Sequence, residues 1–367
     1  MTGPAMRVLL TIDSVGGVWQ YGLDLARALG DRGVETLLAH MGPAPTANQR
    51  TEASGIPCAT LIETGLPLDW LVEGPQPIAA AGAALSQLAR DERVNLVQLN
   101  SPALAASVRP GVPVVAVAHG CVASWWEAVC GDAPLPSEYR WHREMSREGL
   151  RAADVVVAPT AAYAQTLARQ YGLSRVPLSV HNGRTPIARP GPAPAGHGVF
   201  TAGRLWDRAK NAALLDRVAA RLNVPLHAAG PIAGPHGETA RLDHLDLLGC
   251  LDEAALRPWL EQRPLFVSAA HFEPFGLAVL EAAQAGCPLV LSDIPAFREL
   301  WDQAALFVAP DDEAGFARAI ERLLGDPAQR AQFGAAACER ATRYTPAAMA
   351  DAMLGIYDRL LLRECAA

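Results

Sequence analysis

Short apolar runs alternate with amphipathic stretches along most of this chain. MRVLLTIDSVGGVWQYGLDLARALGDRGVETLLAH, residues 6–40, reads as a buried strand, a Gly-Gly turn, an amphipathic helix, a Gly-containing turn and a second strand. NLVQLNSPALAA, VPVVAVAHG and DVVVAPTAAYAQTLARQYG repeat the order of a short apolar strand leading into a helix, as a parallel sheet covered on both faces requires. Residues 1–184 are therefore expected to form one doubly wound α/β domain. TPIARPGPAPAGHG, residues 185–198, breaks the rhythm with four prolines and three glycines. Such a stretch sustains neither helix nor ladder, so it reads as a linker. Beyond it VFTAGRL, the helix-like NAALLDRVAARL, then VPLHAAGP, LDLLGCL, PLFVSAAH, PLVLSDI and AALFVAP renew the alternation, predicting a second α/β domain over residues 199–344. TPAAMADAMLGIYDRLLLRE opens with Thr345 as cap and Pro346 as first helical residue. Residues 345–367 are expected as a terminal helix returning to the N-terminal domain. Two open parallel sheets in succession predict a central cleft at the carboxyl ends of their strands, where ligands of such sheets bind.

Composition narrows the class. The chain has 367 residues, half of them apolar and 19% charged, which is globular and longer than one core usually supports. No run of about 18 apolar residues and no basic leader before an apolar segment occurs. A soluble cytoplasmic protein is expected, with at most peripheral contact with the inner face of the membrane. Seven cysteines, odd in number and without a C-x-x-C pair, argue against a disulfide framework or a structural zinc site. A net charge of −7 gives no general attraction to nucleic acid. Of 31 basic side chains 30 are Arg, so the single lysine, Lys210, stands against the habit of the chain.

The candidate chemistry lies in the second half. HFEPFGLAVLEAAQAGCPLV, residues 271–290, sets Glu273 and Glu281 eight positions apart around a Pro-Phe-Gly turn. The expected geometry puts Glu273 on the loop after the strand PLFVSAAH, a helix start near Phe275 and Gly276, and Glu281 a turn or so inside the helix. A helix start at a strand's carboxyl end offers free N–H groups and a positive dipole end, an anion site that Gly276 lets a phosphate approach. Two carboxylates would repel that anion but accept hydrogen bonds from hydroxyls. A diphosphate flanked by hydroxyl-rich rings, a nucleotide sugar, satisfies both demands. TAGRLWDRAKN, residues 201–211, adds Arg204 and Lys210 after the first strand of the second domain. Two fixed cations there neutralise a diphosphate without a metal, and a compact ammonium is not equivalent to a guanidinium.

EPFGLAVLE and GRLWDRAKN, together with GGVWQYGLDLARALGDRGVE, ADVVVAPT, VHNG and LLGCLDEAAL, resemble the retaining glycosyltransferases of family 4, which have the GT-B fold of two Rossmann-like domains. The resemblance spans nearly the whole chain. It implies that Arg204 and Lys210 bind the donor diphosphate, Glu273 the hydroxyls of the transferred sugar and Glu281 the ribose. Gly276 and Leu277, after Phe275, would meet the phosphate with their N–H groups; Gly16 and Gly17 would approach donor or acceptor from the other domain. His119, at the end of VPVVAVAHG, would contact the donor sugar, although Gly120 stands where many members have Asp.

The expectation is thus a retaining, metal-independent glycosyltransferase moving a hexosyl-type sugar to a hydroxyl acceptor, with no cofactor and with UDP favoured over GDP or ADP. A sugar-nucleotide epimerase and a non-catalytic nucleotide-sugar-binding protein are the alternatives. A nicotinamide dehydrogenase is set aside because IDSVGGVWQYG lacks G-x-G-x-x-G. Trp125 and Trp126 read as packing, and the stripe Arg140, Arg143, Arg147 and Arg151, interleaved with Glu144 and Glu148, as a solvated, self-paired helix face.

Overall fold

The apolar runs become the strands of two wholly parallel sheets. The computed structural model describes residues 6–188, 196 and 198–364; residues 189–195 and 197 of the expected linker lie outside the described residues. The first sheet contains β1 (Arg7–Asp13), β2 (Glu35–Met41), β3 (Ala59–Leu66), β4 (Leu96–Leu99), β5 (Val114–Val117), β6 (Val155–Ala158) and β7 (Leu178–Ser179), in the order β3-β2-β1-β4-β5-β6-β7. The second contains β8 (Val199–Ala202), β9 (Leu226–Ala229), β10 (Asp246–Gly249), β11 (Leu265–Ser268), β12 (Leu289–Ser292) and β13 (Ala305–Val308), in the order β10-β9-β8-β11-β12-β13. The order reverses between β1 and β4 and between β8 and β11, the switch points where open α/β sheets leave a crevice outside the strand ends. These are the two doubly wound sheets that the strand–helix rhythm predicts.

Residues up to Glu127, Asp132–Arg184 and those from Thr345 onward form one compact unit; Thr185–Tyr344 with Ala128–Gly131 form the other. In the first, Val8, Leu10 and Ile12 of β1 share a core with Leu23, Leu25, Ala26 and Leu29 of the helix Gly17–Gly30. The terminal helix Pro346–Glu364 belongs to the same core through Met349, Met353, Ile356 and Tyr357. Each such apolar side chain stabilises by ~1.5–3 kcal/mol when buried, so this helix is a structural part of the unit. The Thr345 hydroxyl accepts from the Ala348 N–H (3.1 Å) at its start. In the second unit Phe200, Phe266, Phe297 and Trp301 are fully buried between sheet and helices.

The helix Arg140–Ala152 turns His142, Met145, Ser146, Gly149 and Leu150 inward. Arg140 and Arg151 are exposed while Arg143 and Arg147 are half-buried, and Arg147 pairs with Glu144 at 3.1 Å. Trp126 is half-buried and donates its indole N–H to the Ala133 carbonyl (2.8 Å). Among the described residues no helix is long and apolar enough to cross a membrane.

Candidate functional site

In the second unit the site grows from the carboxyl end of β8. Gly203 and Gly230 pass so close that a Cβ on Gly230 would lie 1.8 Å from the Gly203 carbonyl oxygen, and the φ of Gly230, +137°, is itself open to glycine alone. That contact lets the turn after β8 fold back over the sheet edge. Arg204 follows, held by Asp207 (2.9 Å) and lying 5.7 Å over the Trp206 ring. Asp207 is buried and also accepts from the Ala209 N–H (3.0 Å). The short turn Arg208–Lys210 ends at Asn211, whose left-handed φ of +54° suits asparagine and whose amide donates to the Pro310 carbonyl (3.0 Å).

This loop is sewn to the one after β11. The Ala209 carbonyl accepts from the His271 N–H (2.9 Å) and, at longer range, from that of Phe272 (3.5 Å). The Lys210 ammonium then donates directly to the Glu273 carboxylate, both side chains being mostly shielded. Glu273 sits in the loop that leads into the helix Leu277–Gln284. Gly276 is the residue before that helix, with φ +92° and no side-chain cap. The N–H groups of the first turn are thus available to a ligand, beside the positive end of the helix dipole. A cavity opens here, lined by Gly203, Leu205, Lys210, Ser268, Glu273 and Val279. Phe275 points away, its ring buried edge-on against Tyr344 (5.8 Å). Leu277 and Glu281 are half-buried, Glu281 just over one turn into the helix.

The structure therefore gathers Arg204, Lys210, Glu273 and Gly276 at the β8/β11 switch point. It also supplies what the sequence reading omitted: Asp207 as the partner of Arg204, the Ala209 carbonyl as the joint between loops, and the ion pair of Lys210 with Glu273. As a mostly shielded ion pair, the two side chains are neutral as a unit. Among the described residues no group of three or more His, Cys, Asp or Glu is placed to hold a metal ion.

In the first unit, Gly16 is extended (φ −150°) and precedes the helix that Gly17 begins, without a side-chain cap. His119 follows β5, half-buried. Its Nε2 lies 3.0 Å from the Asn100 Oδ1, and its ring meets that of Tyr21 edge-on at 4.4 Å. Burial pushes its pKa down to about 4, so the imidazole is neutral at physiological pH. Asn100 and Gln98, at the end of β4, were not singled out from the sequence; a Gln inside the apolar run LVQL was the available signal, because a fully buried amide must find partners.

Residues 15–183 match the family model described as Glycosyltransferase Family 4, and residues 196–326 that described as Glycosyl transferases group 1. The glycogen synthase of Mycobacterium tuberculosis is 41% identical over 97 residues, 26% of this chain and 23% of that protein. The phosphatidyl-myo-inositol mannosyltransferase of Mycolicibacterium smegmatis is 32% identical over 134 residues, 35% of this chain and 32% of that protein. The chain thus spans, in these matches, no more than about a third of the relatives' length. Among solved structures, sucrose-phosphate synthase from Thermosynechococcus elongatus superposes with a TM-score of 0.78 at 18% identity, covering 98% of this chain and 100% of that one. Anabaena HepE in complex with UDP and glucose gives a TM-score of 0.73 at 18% identity, covering 97% and 100%. At such identities the likeness is one of fold, and that fold is GT-B.

Proposed function

Because the chain belongs to the family 4 type of glycosyltransferases with the GT-B fold, we propose that it is a retaining, metal-independent transferase of a hexosyl-type sugar. The donor is a nucleoside-diphosphate sugar, UDP being the favoured nucleotide, and the acceptor a hydroxyl. The observation that carries this reading is the pairing of Lys210 with Glu273 beside the uncapped helix start at Gly276. A diphosphate takes the ammonium, the Arg204 guanidinium and the N–H groups at Gly276 and Leu277, while the released Glu273 carboxylate accepts from sugar hydroxyls and Glu281 from the ribose. Phe275 contributes backbone position rather than its ring. In the first unit, His119 and the Gly16–Gly17 backbone are assigned to the sugar and the acceptor.

In the transfer itself the bond from the anomeric carbon to the diphosphate oxygen breaks as the bond to the acceptor oxygen forms on the same face. The leaving phosphate takes the acceptor's proton. Arg204 and Lys210 stabilise the charge that develops on it, the role for which a metal-free site needs preplaced cations.

The test is a thermal-shift screen of nucleoside diphosphates and their sugars, with and without EDTA, on the native protein and on Lys210→Ala. A ligand at a hundred times its Kd stabilises by about 2.7 kcal/mol, which is readily seen. One diphosphate series is expected to stabilise the native protein regardless of EDTA, and the variant to lose the response. If no diphosphate acts, or the variant responds equally, the donor-site reading fails.

A further inference from the structure

His119 emerges from the fold with its tautomer already chosen. The Asn100 amide is oriented by contacts that only one assignment satisfies: its Nδ2 donates to the Thr11 carbonyl (2.6 Å), an atom that only accepts. Its Oδ1 accepts from the Gln98 Nε2 (3.2 Å), and its backbone N–H is tied to the Thr11 hydroxyl (2.8 Å). Flipping the amide would set oxygen against oxygen at Thr11. Gln98 takes its own orientation from Asn100, because its other partners, the Tyr21 hydroxyl at Nε2 (3.1 Å) and the Tyr357 hydroxyl of the terminal helix at Oε1, can each donate or accept. The atom of Asn100 that meets His119 Nε2 at 3.0 Å is therefore an acceptor, and the imidazole must donate to it.

We propose that Asn100 is a positioning residue that holds His119 as the neutral Nε2–H tautomer, leaving Nδ1 to accept a hydrogen bond from a hydroxyl of the bound sugar or acceptor. The part concerning the hydroxyl rests on the glycosyltransferase reading above; the tautomer does not. A neutral partner matters here. A carboxylate in place of the Asn100 amide would favour the imidazolium, whose two nitrogens both donate, and Nδ1 would be lost as an acceptor. The chain has no acid next to His119, where Gly120 stands, and takes the orienting contact from the neighbouring strand instead. Tyr21 is the titratable side chain whose ring meets His119, and burial rather than any neighbouring carboxylate, guanidinium or ammonium moves the titration of the imidazole.

Two-bond ¹H–¹⁵N correlation of histidine-labelled protein tests this, with His119→Gln identifying the signal. At pH 7 the native protein is expected to show a neutral His119 with a pyrrole-type Nε2 and a pyridine-type Nδ1. An Nδ1–H or doubly protonated ring overturns the proposal whether or not nucleotide sugars bind, and this measurement needs no variant of Asn100 to fold. In Asn100→Asp the pKa of His119 is expected to rise, so that the doubly protonated signal grows in at a higher pH than in the native protein. The kcat of that variant, measured with the donor found by the thermal-shift screen, is expected to fall on the order of tenfold where the ring is doubly protonated and to recover at higher pH as the imidazolium loses its proton, with KM for the donor little changed. Native-like kcat in Asn100→Asp with a doubly protonated His119 would overturn the assignment of Nδ1. A native protein that no nucleoside diphosphate stabilises, or a Lys210→Ala variant that responds equally, would by contrast sink the donor-site reading alone.

Discussion

The two units hold their candidate polar groups in opposite ways. At the β8/β11 switch point of the second unit the candidate groups are charged and paired with one another: Lys210 with Glu273, Arg204 with Asp207. Around His119 in the first unit they are uncharged amides, phenols and an imidazole joined into one hydrogen-bonded chain from Thr11 to Tyr357. On the proposed reading the difference follows from what each meets. A diphosphate has a charge that fixed cations answer, and in the mostly shielded place of Lys210 a cation without a partner is costly, so it rests paired. Hydroxyls are neutral and read by direction, which a network of fixed dipoles supplies without that cost.

The sharpest way to break the comparison is at Lys210. Lys210→Ala removes the cation and strands Glu273, which is mostly shielded from water. Loss of one preplaced donor to a developing charge typically costs about 10²–10³ in rate, so kcat/KM is expected to drop by that order. Lys210→Arg should restore only part of it, because a planar guanidinium does not occupy the place of an ammonium seated between Glu273 and a phosphate. Steady-state kinetics on both variants decides. Full activity in Lys210→Arg would mean that any cation serves, and the contrast between stored charge and fixed geometry would lose its force.

Much of this was legible before the structure, and the limits are physical. Parallel sheets bury both faces, so their strands announce themselves as unbroken apolar runs such as VLL, VVAV and LVLS; the two doubly wound sheets follow from that periodicity. Lys210 stood out by composition, and Glu273 and Glu281 by spacing around a glycine turn. What could not be read was who pairs with whom. Glu273 lies 63 positions from Lys210, and Tyr357 lies 259 from Gln98; nothing local in the sequence encodes a contact that the fold alone creates. Asn100 was hidden for a further reason. NSP reads equally well as a turn, and only the Thr11 and Gln98 contacts convert that asparagine into an orienting group.

Charge is not absent from the first unit, and Asp69 sharpens what it does there. Asp69 is buried; burial alone would push its pKa up, yet hydrogen bonds from His142 (3.0 Å), Ser101 (2.7 Å) and the Trp70 N–H (3.0 Å) bring it below the ordinary value. A carboxyl lowered in the folded state lends stability that is fully present above its unfolded pKa and fades as pH falls through its folded one. Asp69→Asn is therefore expected to cost about 1–3 kcal/mol at pH 7. Below pH 4 the gap between variant and native protein should narrow, as the native carboxylate takes up its proton. Urea unfolding at several pH values measures both. A variant as stable as the native protein at pH 7 would show that this buried charge is not structural, and that the first unit too keeps charge in reserve.

The smallest expected effect probes the stored pair from its other side. In Glu273→Gln the amide no longer competes with a phosphate for the Lys210 ammonium, so a nucleoside diphosphate without sugar should bind more tightly. The gain is bounded by what a partly shielded pair is worth, and about three- to tenfold in Kd is the expectation. The nucleotide sugar should gain less or lose, because the carboxylate that accepts from its hydroxyls has gone. The native protein is thus expected to prefer donor over bare diphosphate by a margin that the variant lacks, and calorimetric titration of both ligands against both proteins gives that margin directly. Raising the salt should shrink the gain for the diphosphate, since it is a charge effect. If the variant binds the bare diphosphate no more tightly than the native protein does, Glu273 does not hold Lys210 in reserve, and the pairing is a resting contact without consequence for the ligand.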